Sequence, residues 1–134
     1  MKYLLDTNIC IELIRRQPTS VMKRLTSLRV GDAGISSVTV AELYHGVYKS
    51  QNPEQNLEAL EQFLLPLAIA EFGSEAAIAY GQIRADLERK GTPIGSMDLL
   101  IAAHAVSLNV VLVTNNLREF TRVPKLQIED WTRK

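Results

Sequence analysis

Hydrophobic and polar positions along the chain follow two recurring patterns. Short apolar runs stand at residues 2–5, 33–36, 67–70 and 110–113, and a further short one lies near 126–128. Each is too brief for a helix and reads as a strand. Val110-Val111-Leu112-Val113 is apolar at every position, which predicts a strand covered on both faces. Between these runs the spacing changes to three and four. Residues 38–48 carry Val40, Leu43, Tyr44 and Val47, and residues 54–64 carry Leu57, Leu60, Phe63 and Leu64. Residues 74–88 carry Ala77, Ile78, Ile83 and Leu87. Residues 98–108 are apolar nearly all round and predict a central helix. Helical patterns also follow Asp6 and Pro18. Strands that alternate with helices imply long crossovers and a parallel sheet. The expected fold is α/β and three-layered, with a mostly parallel central sheet of four to five strands flanked by helices. Polar breaks at 16–18, 31–32, 50–53 and 90–93 are short, and no repeat or linker interrupts the chain. Residues 1–134 are therefore expected to form one domain.

Composition narrows the class. Hydrophobic residues make up 46% of 134, enough for a core and far from a disordered composition. The single cysteine, Cys10, excludes a disulfide framework and a cysteine zinc site, and reads as a small core residue. No apolar run approaches a membrane span, and Asp6 interrupts the first apolar stretch too early for a signal peptide. A cytoplasmic location and no membrane partner are expected.

The strand ends carry the candidate chemistry, because open α/β sheets place their sites at the carboxyl ends of the strands. Asp6 ends the first strand, Glu42 sits one turn into the helix after the second, and Asp98 opens the apolar helix. Thr114-Asn115-Asn116 follows the last long strand. Three carboxylates brought together repel unless a cation sits among them. Oxygen ligands suit a hard divalent ion, Mg²⁺ or Mn²⁺. Each acid also has a structural reading. Asp6 suits a helix N-cap, Thr39 and Glu42 match a capping box, and Asp98 suits the first turn of a helix. Apolar neighbours favour the chemical reading for Asp6 and Asp98, since an acid at the edge of a buried run must be paired or metal-bound.

Four segments together resemble the PIN-domain ribonucleases, and most closely the VapC toxins of bacterial type II toxin–antitoxin pairs. They are Leu4-Leu5-Asp6-Thr7-Asn8, Ile35-Ser36-Ser37-Val38-Thr39-Val40-Ala41-Glu42-Leu43, Gly95-Ser96-Met97-Asp98-Leu99-Leu100-Ile101-Ala102-Ala103-His104-Ala105 and Val113-Thr114-Asn115-Asn116-Leu117-Arg118-Glu119-Phe120. The resemblance spans the chain and implies a PIN-like fold and a metal-dependent endoribonuclease. Asp6, Glu42 and Asp98 align with the family's metal-binding acids. Asn116 falls where many relatives carry a fourth acid, and Glu119 is a candidate substitute for it. Ser96 departs from the proline common there. Thr7, Asn8, Ser37 and Thr114 suit roles in holding carboxylates and waters by hydrogen bonds. The resemblance also implies a homodimer, a cognate VapB-type antitoxin, and a structured RNA substrate such as tRNA, with initiator tRNA as one target. It implies products with a 5′-phosphate and a 3′-hydroxyl.

Other readings are weaker. Glu42 and His45 have the spacing of one half of a di-iron helix pair, which needs a second copy that the chain lacks. Asp6-Thr7-Asn8 only partly matches the start of a haloacid-dehalogenase-type phosphohydrolase. A signal-receiver domain needs an aspartate at the end of the third strand, where Glu71-Phe72-Gly73 stands. A non-catalytic PIN-like module binding RNA or protein is opposed by the intact Asp6, Glu42 and Asp98. His104 reads as a packed or hydrogen-bonded histidine, and Tyr44, Tyr48, Phe63, Phe72 and Tyr80 read chiefly as core.

Charge at first opposes a polyanion partner, since 15 Lys and Arg balance 15 Asp and Glu. Its distribution reverses that. Between residues 50 and 83 stand five acids, Glu54, Glu58, Glu61, Glu71 and Glu75, and no base. The remainder holds 15 bases against 10 acids, with Arg15, Arg16, Arg84, Arg89, Lys90, Arg118 and Arg122 as candidate contacts to a phosphate backbone.

Overall fold

The computed structural model of the chain describes residues 1–132. Five strands, β1 (Tyr3–Leu5), β2 (Ala33–Ser36), β3 (Ala68–Ala70), β4 (Val111–Val113) and β5 (Gln127–Glu129), form one sheet in the order β3-β2-β1-β4-β5. Every pairing is parallel, so the sheet is wholly rather than mostly parallel. Chain order runs outward from β1 to β3 on one side and to β5 on the other. The direction switches between β1 and β4, which pair Leu4 with Leu112 and Leu5 with Val113.

Helices cover both faces. α1 (Thr7–Arg15), α2 (Thr19–Thr26), α3 (Ser37–Tyr48) and α4 (Pro53–Leu64) supply Ile9, Leu13, Val21, Leu43 and Leu60 to one core, which receives Leu5, Ile35 and Val113 from the sheet. α5 (Ser74–Lys90), α6 (Ser96–Leu108) and the short α7 (Leu117–Phe120) supply Ile83, Leu87, Ile101, Ala102 and Phe120 to the other, which receives Leu4 and Leu112. Neighbouring residues Leu4 and Leu5 thus serve opposite cores, as strand alternation requires. α6 buries Leu99 and everything from Ile101 to Ala105, the central helix its all-round apolarity predicts. Cys10 is fully buried, and burial pushes its thiol pKa up.

Four details correct the sequence reading. α3 starts a turn earlier than a Thr39 cap requires. Ser36 is the cap, accepting from the Val38 amide at 3.0 Å, and Thr39 is buried inside the helix. α5 buries Ala76, Ala79, Ile83 and Leu87 and leaves Ala77 and Ile78 exposed. The fully buried aromatic rings are Phe120 and Trp131, whereas Tyr44, Phe63, Phe72 and Tyr80 are half-buried and Tyr48 is exposed. Within β4, Val111 is only half-buried, so the strand is not covered throughout. No helix among the described residues is long and apolar enough to cross a membrane.

Candidate active site

Asp6 leaves β1 at the point where the sheet switches direction. Its amide donates to the Val113 carbonyl at 3.0 Å, extending the β1–β4 ladder by one rung and fixing where the side chain emerges. The carboxylate is 2% exposed. It caps α1, taking the Asn8 amide on Oδ1 at 2.7 Å, and it takes the Thr114 hydroxyl on Oδ2. Thr114 in turn accepts the Asn116 amide at 2.9 Å, so one hydroxyl joins the ends of β1 and β4. Burial raises the Asp6 pKa, the Thr114 and Asn8 hydrogen bonds oppose the rise, and the charge of Glu42 adds to it. Asp6 is thus the N-cap of α1 through Oδ1, while Oδ2 is tied to the end of β4.

Glu42 projects from the second turn of α3 and is half-buried. Its Oε1 accepts the Thr7 hydroxyl at 2.7 Å, and Thr7 Oγ1 lies 3.1 Å from that of Thr39. The carboxylate therefore faces α1 and Asp6 rather than folding back on the start of its own helix.

Asp98 lies in the first turn of α6, opposite Glu119 of α7. The two carboxyls share a hydrogen bond. Burial first, then that bond and the charges of Glu119, Asp6 and Glu42, lift the Asp98 pKa to about 7. Glu119 moves the other way, stabilised as an anion by Asp98, by the Gly95 backbone, by the Asn116 side chain and by the charge of Arg122. Glu119 thus belongs to the acidic group, and the Asn116 side chain serves it. Its place three residues after Asn116 was the only sequence signal for this.

The proposed helpers divide. Thr7 and Thr114 hold carboxylates. Asn8 does so through its backbone amide, with its side chain exposed. Ser37 does not reach the acids; its hydroxyl accepts the Phe72 amide at 3.1 Å and ties the end of β3 to α3. Sequence reasoning passed over Ser36. Its buried hydroxyl both caps α3 and lies 2.8 Å from Nδ1 of buried His104, beside which the Phe72 ring stands edge-on at 5.3 Å. Burial lowers the His104 pKa, which keeps the ring neutral in this position.

Asp6, Glu42 and Asp98 feel one another's charge, and among the described residues no Lys, Arg or His forms an ion pair with any of them. Uncompensated, partly desolvated carboxylate oxygens are a donor set that suits a hard divalent cation. Among the described residues no three His, Cys, Asp or Glu are gathered tightly enough to hold a metal as they stand. Asp98 is engaged with Glu119, so a cation competes with the proton between them. Beside Glu42, a groove of about 180 Å³ runs between α1, α3 and α4, lined by Ile11, Ile14, Leu43, Val47 and Leu60 with Arg15 at its edge.

Comparisons with known proteins identify the family. The family model described as PIN domain matches residues 3–126. The tRNA(fMet)-specific endonuclease VapC of Salmonella typhimurium is 48% identical over 131 residues, 98% of each chain. A crystal structure of DNA-bound VapBC from Salmonella typhimurium superposes with a TM-score of 0.94 at 48% identity, covering 98% of both chains. VapBC2 from Rickettsia felis, bound to a DNA fragment from its promoter, gives a TM-score of 0.93 at 45% identity, covering 98% of this chain and 99% of that one.

Proposed function

The chain belongs to the PIN-domain family, and from that premise we propose that it is the toxin of a VapBC-type toxin–antitoxin pair, an endoribonuclease that hydrolyses a phosphodiester in tRNA. The observation that carries the reading is that Asp6, Glu42 and Asp98 feel one another's charge at the sheet's switch point while, among the described residues, no Lys, Arg or His pairs with any of them. PIN-domain nucleases generally use a divalent metal. Here Mg²⁺, with Mn²⁺ as a substitute, is the ion we assign to Asp6, Glu42 and Asp98, with Asn116 and Glu119 at the margin. When bound, such an ion supplies charge neutralisation and activates water toward a phosphoryl centre.

The chain's own groups do the rest. Thr114 and the Asn8 amide fix the Asp6 carboxylate, leaving lone pairs free on its oxygens. Thr7 fixes Glu42. Glu119 accepts the hydrogen bond of the Asp98 carboxyl, and a divalent ion held by Asp98 would take the place of that proton. No side-chain nucleophile is required, and the buried, high-pKa Cys10 is unsuited to be one. We assign the whole of residues 1–134 to one PIN domain acting in the cytoplasm, as a homodimer held inactive by a VapB-type antitoxin. The apolar groove beside Glu42 gives such a partner a surface that leads to the acids. The Salmonella relative's name supports initiator tRNA as the substrate.

The test is cleavage of initiator tRNA and of total tRNA by purified protein freed of its partner, with Mg²⁺ or Mn²⁺. Asp6→Asn and Asp98→Asn should each lose at least about a hundredfold in rate. Full cleavage by both variants removes the site assignment, and an inert wild type removes the activity.

A further inference from the structure

Beyond the acids, on the α5 side of the connection that leads into α6, lies a second concavity of about 120 Å³. It is lined by Tyr80, Arg84, Leu87 and Glu88 of α5, Pro93 and Ile94 of the connection, and Ser96 with Leu99 of α6. The Arg84 guanidinium stands over the Tyr80 ring, 6.0 Å from its centroid, and Nη1 donates to the Tyr80 hydroxyl at 2.9 Å. Nε donates to Glu88 at 3.3 Å, an exposed pair that contributes little to stability. Among the described residues Nη2 has no acceptor. A planar cation is thus held at the hydroxyl end of an aromatic ring, with Nη2 free of protein acceptors among the described residues.

The connection is tied to α5 and to the turn after α7, and it borders the acidic site. Gly91 closes α5 in the left-handed region, at φ 69°, and the Thr92 amide donates to the Leu87 carbonyl at 2.9 Å. Arg122 donates to the Pro93 carbonyl at 2.9 Å. The backbone of Gly95 supports Glu119, and a Cβ there would stand 3.7 Å from Asp98 Oδ2. One five-residue wall therefore has the acids on one side and the concavity on the other.

Charge distinguishes this flank from the opposite one. The second half of α5, with α7 and the turn after it, carries Arg84, Arg89, Lys90, Arg118 and Arg122 against Asp86, Glu88 and Glu119. Asp86 is paired with Lys90 at 3.1 Å. Across the molecule, α4 carries Glu54, Glu58 and Glu61 and no base. A polyanion that reaches the acids is favoured over the α5–α7 flank and repelled over α4.

We propose that the Tyr80–Arg84 concavity is the subsite for a nucleotide neighbouring the cleaved phosphodiester in RNA, its base unstacked against the Tyr80–Arg84 pair and the Pro93 wall, its phosphate taken by the free edge of Arg84. Stacking on an aromatic ring and a guanidinium plane is the way proteins hold single-stranded RNA segments. This rests on the ribonuclease reading above, deepens it to an unpaired or extrudable nucleotide beside the scissile bond, and makes Arg84 and Tyr80 substrate-binding residues.

The test measures binding and cleavage separately, on the full chain. Binding of a short single-stranded RNA labelled with a fluorophore is followed by anisotropy with Ca²⁺ in place of Mg²⁺, and cleavage of tRNA is followed with Mg²⁺. Arg84→Met and Tyr80→Leu should each weaken binding about tenfold. Each should raise KM similarly while kcat changes less than about twofold. Arg84→Met should also lower the salt dependence of binding by about one unit of slope. Lys23→Met, on α2, should leave both unchanged. Unaltered affinity in Arg84→Met and Tyr80→Leu overturns the subsite, as does a change in oligomeric state by light scattering in place of a change in affinity. Wild type that binds RNA through these residues without cleaving it leaves the subsite standing and overturns the nuclease reading; wild type that neither binds nor cleaves overturns both.

Discussion

Thr7 gives its hydroxyl proton to Oε1 of Glu42 across 2.7 Å, and so joins the helix after β1 to the helix after β2. Asp6, next in the chain to Thr7, is held from the other side by Thr114 at the end of β4. Two hydroxyls, 107 positions apart, therefore set the spacing of two carboxylates that repel. Thr7→Val, of nearly the same shape, removes the hydroxyl and leaves Glu42 half-buried without that donor. We expect a loss of about 1–2 kcal/mol in urea denaturation and about a tenfold drop in tRNA cleavage. Thr7→Ser should restore most of both. Equal activity in Thr7→Val and wild type would show that Glu42 is positioned some other way.

Ser36 stands at a second junction. Its hydroxyl accepts the Val38 amide at 3.0 Å and lies 2.8 Å from His104 Nδ1, with both residues buried. Ser36→Ala removes the cap of α3 and leaves a buried imidazole nitrogen unpaired. A lost cap costs about 1 kcal/mol, and a stranded buried polar group about 1–3 kcal/mol more. A fall in stability of about 2–4 kcal/mol is expected, read as the shift in denaturant midpoint at constant slope. His104→Phe should lose less than Ser36→Ala, since it leaves the cap in place.

These junctions explain what could be read from the chain. Short apolar runs located β1 to β5, and spacing of three and four located the six longer helices, whose buried residues fall on one face. Asp6 and Asp98 stood out because each abuts an apolar run. Thr39-Val40-Ala41-Glu42 misled because a cap and an in-helix Thr have the same local spacing. Only Ser36, held by His104 from 68 positions away, decides where α3 starts. Glu119 meets Asp98 because Phe120 is buried against α6 and the turn after it is tied to Pro93 through Arg122. That contact arises from tertiary packing, which no local pattern carries. The face of α5 was misjudged for a related reason. Ala77 and Ile78 are as apolar as Ala76 and Ala79, so composition cannot choose between the two faces.

Gly34 is demanded by the sheet rather than by a turn. A Cβ at this position would lie 2.6 Å from the Ala68 carbonyl oxygen of β3 and 2.6 Å from the Met1 side chain. Met1 is a flexible side chain and can yield. The carbonyl belongs to the neighbouring strand, with Gly34 and Ala68 in register. Gly34→Ala should therefore push β2 and β3 apart and destabilise the protein by about 1–3 kcal/mol. Because Ser36 ends the same strand, backbone amides around Ser36 and Ser37 should show faster hydrogen exchange in this variant. Gly46→Ala, on an exposed helical surface with no atom within 4 Å, is the matched control and should be neutral or slightly stabilising.

The carboxyl pair Asp98–Glu119 makes a prediction about pH with a definite sign. Burial, with the neighbouring acids, lifts Asp98 to about 7 in the folded protein, whereas an unfolded aspartate titrates near ~3.9. Between those values the folded chain keeps a proton that the unfolded chain has released, so stability falls as pH rises through that window. Asp6 is shifted in the same direction. Glu119 is shifted oppositely, and its contribution is lost only as pH falls through and below the ordinary glutamate range near ~4.3. The downward slope between about pH 5 and 7 therefore belongs to Asp98, with Asp6 acting in the same direction and buried His104, whose pKa is lowered, opposing it. In EDTA the thermal midpoint should drop from pH 5.5 to pH 8, and Asp98→Asn should flatten the drop. A divalent cation reverses the logic, since it binds the deprotonated acids. Mg²⁺ should thus raise the midpoint more at pH 8 than at pH 5.5, and cleavage should rise with pH across the same interval. A slope that survives intact in Asp98→Asn, or a Mg²⁺ effect equal at both pH values, would separate this pair from the metal and leave Glu119 with a purely structural role at the start of α6.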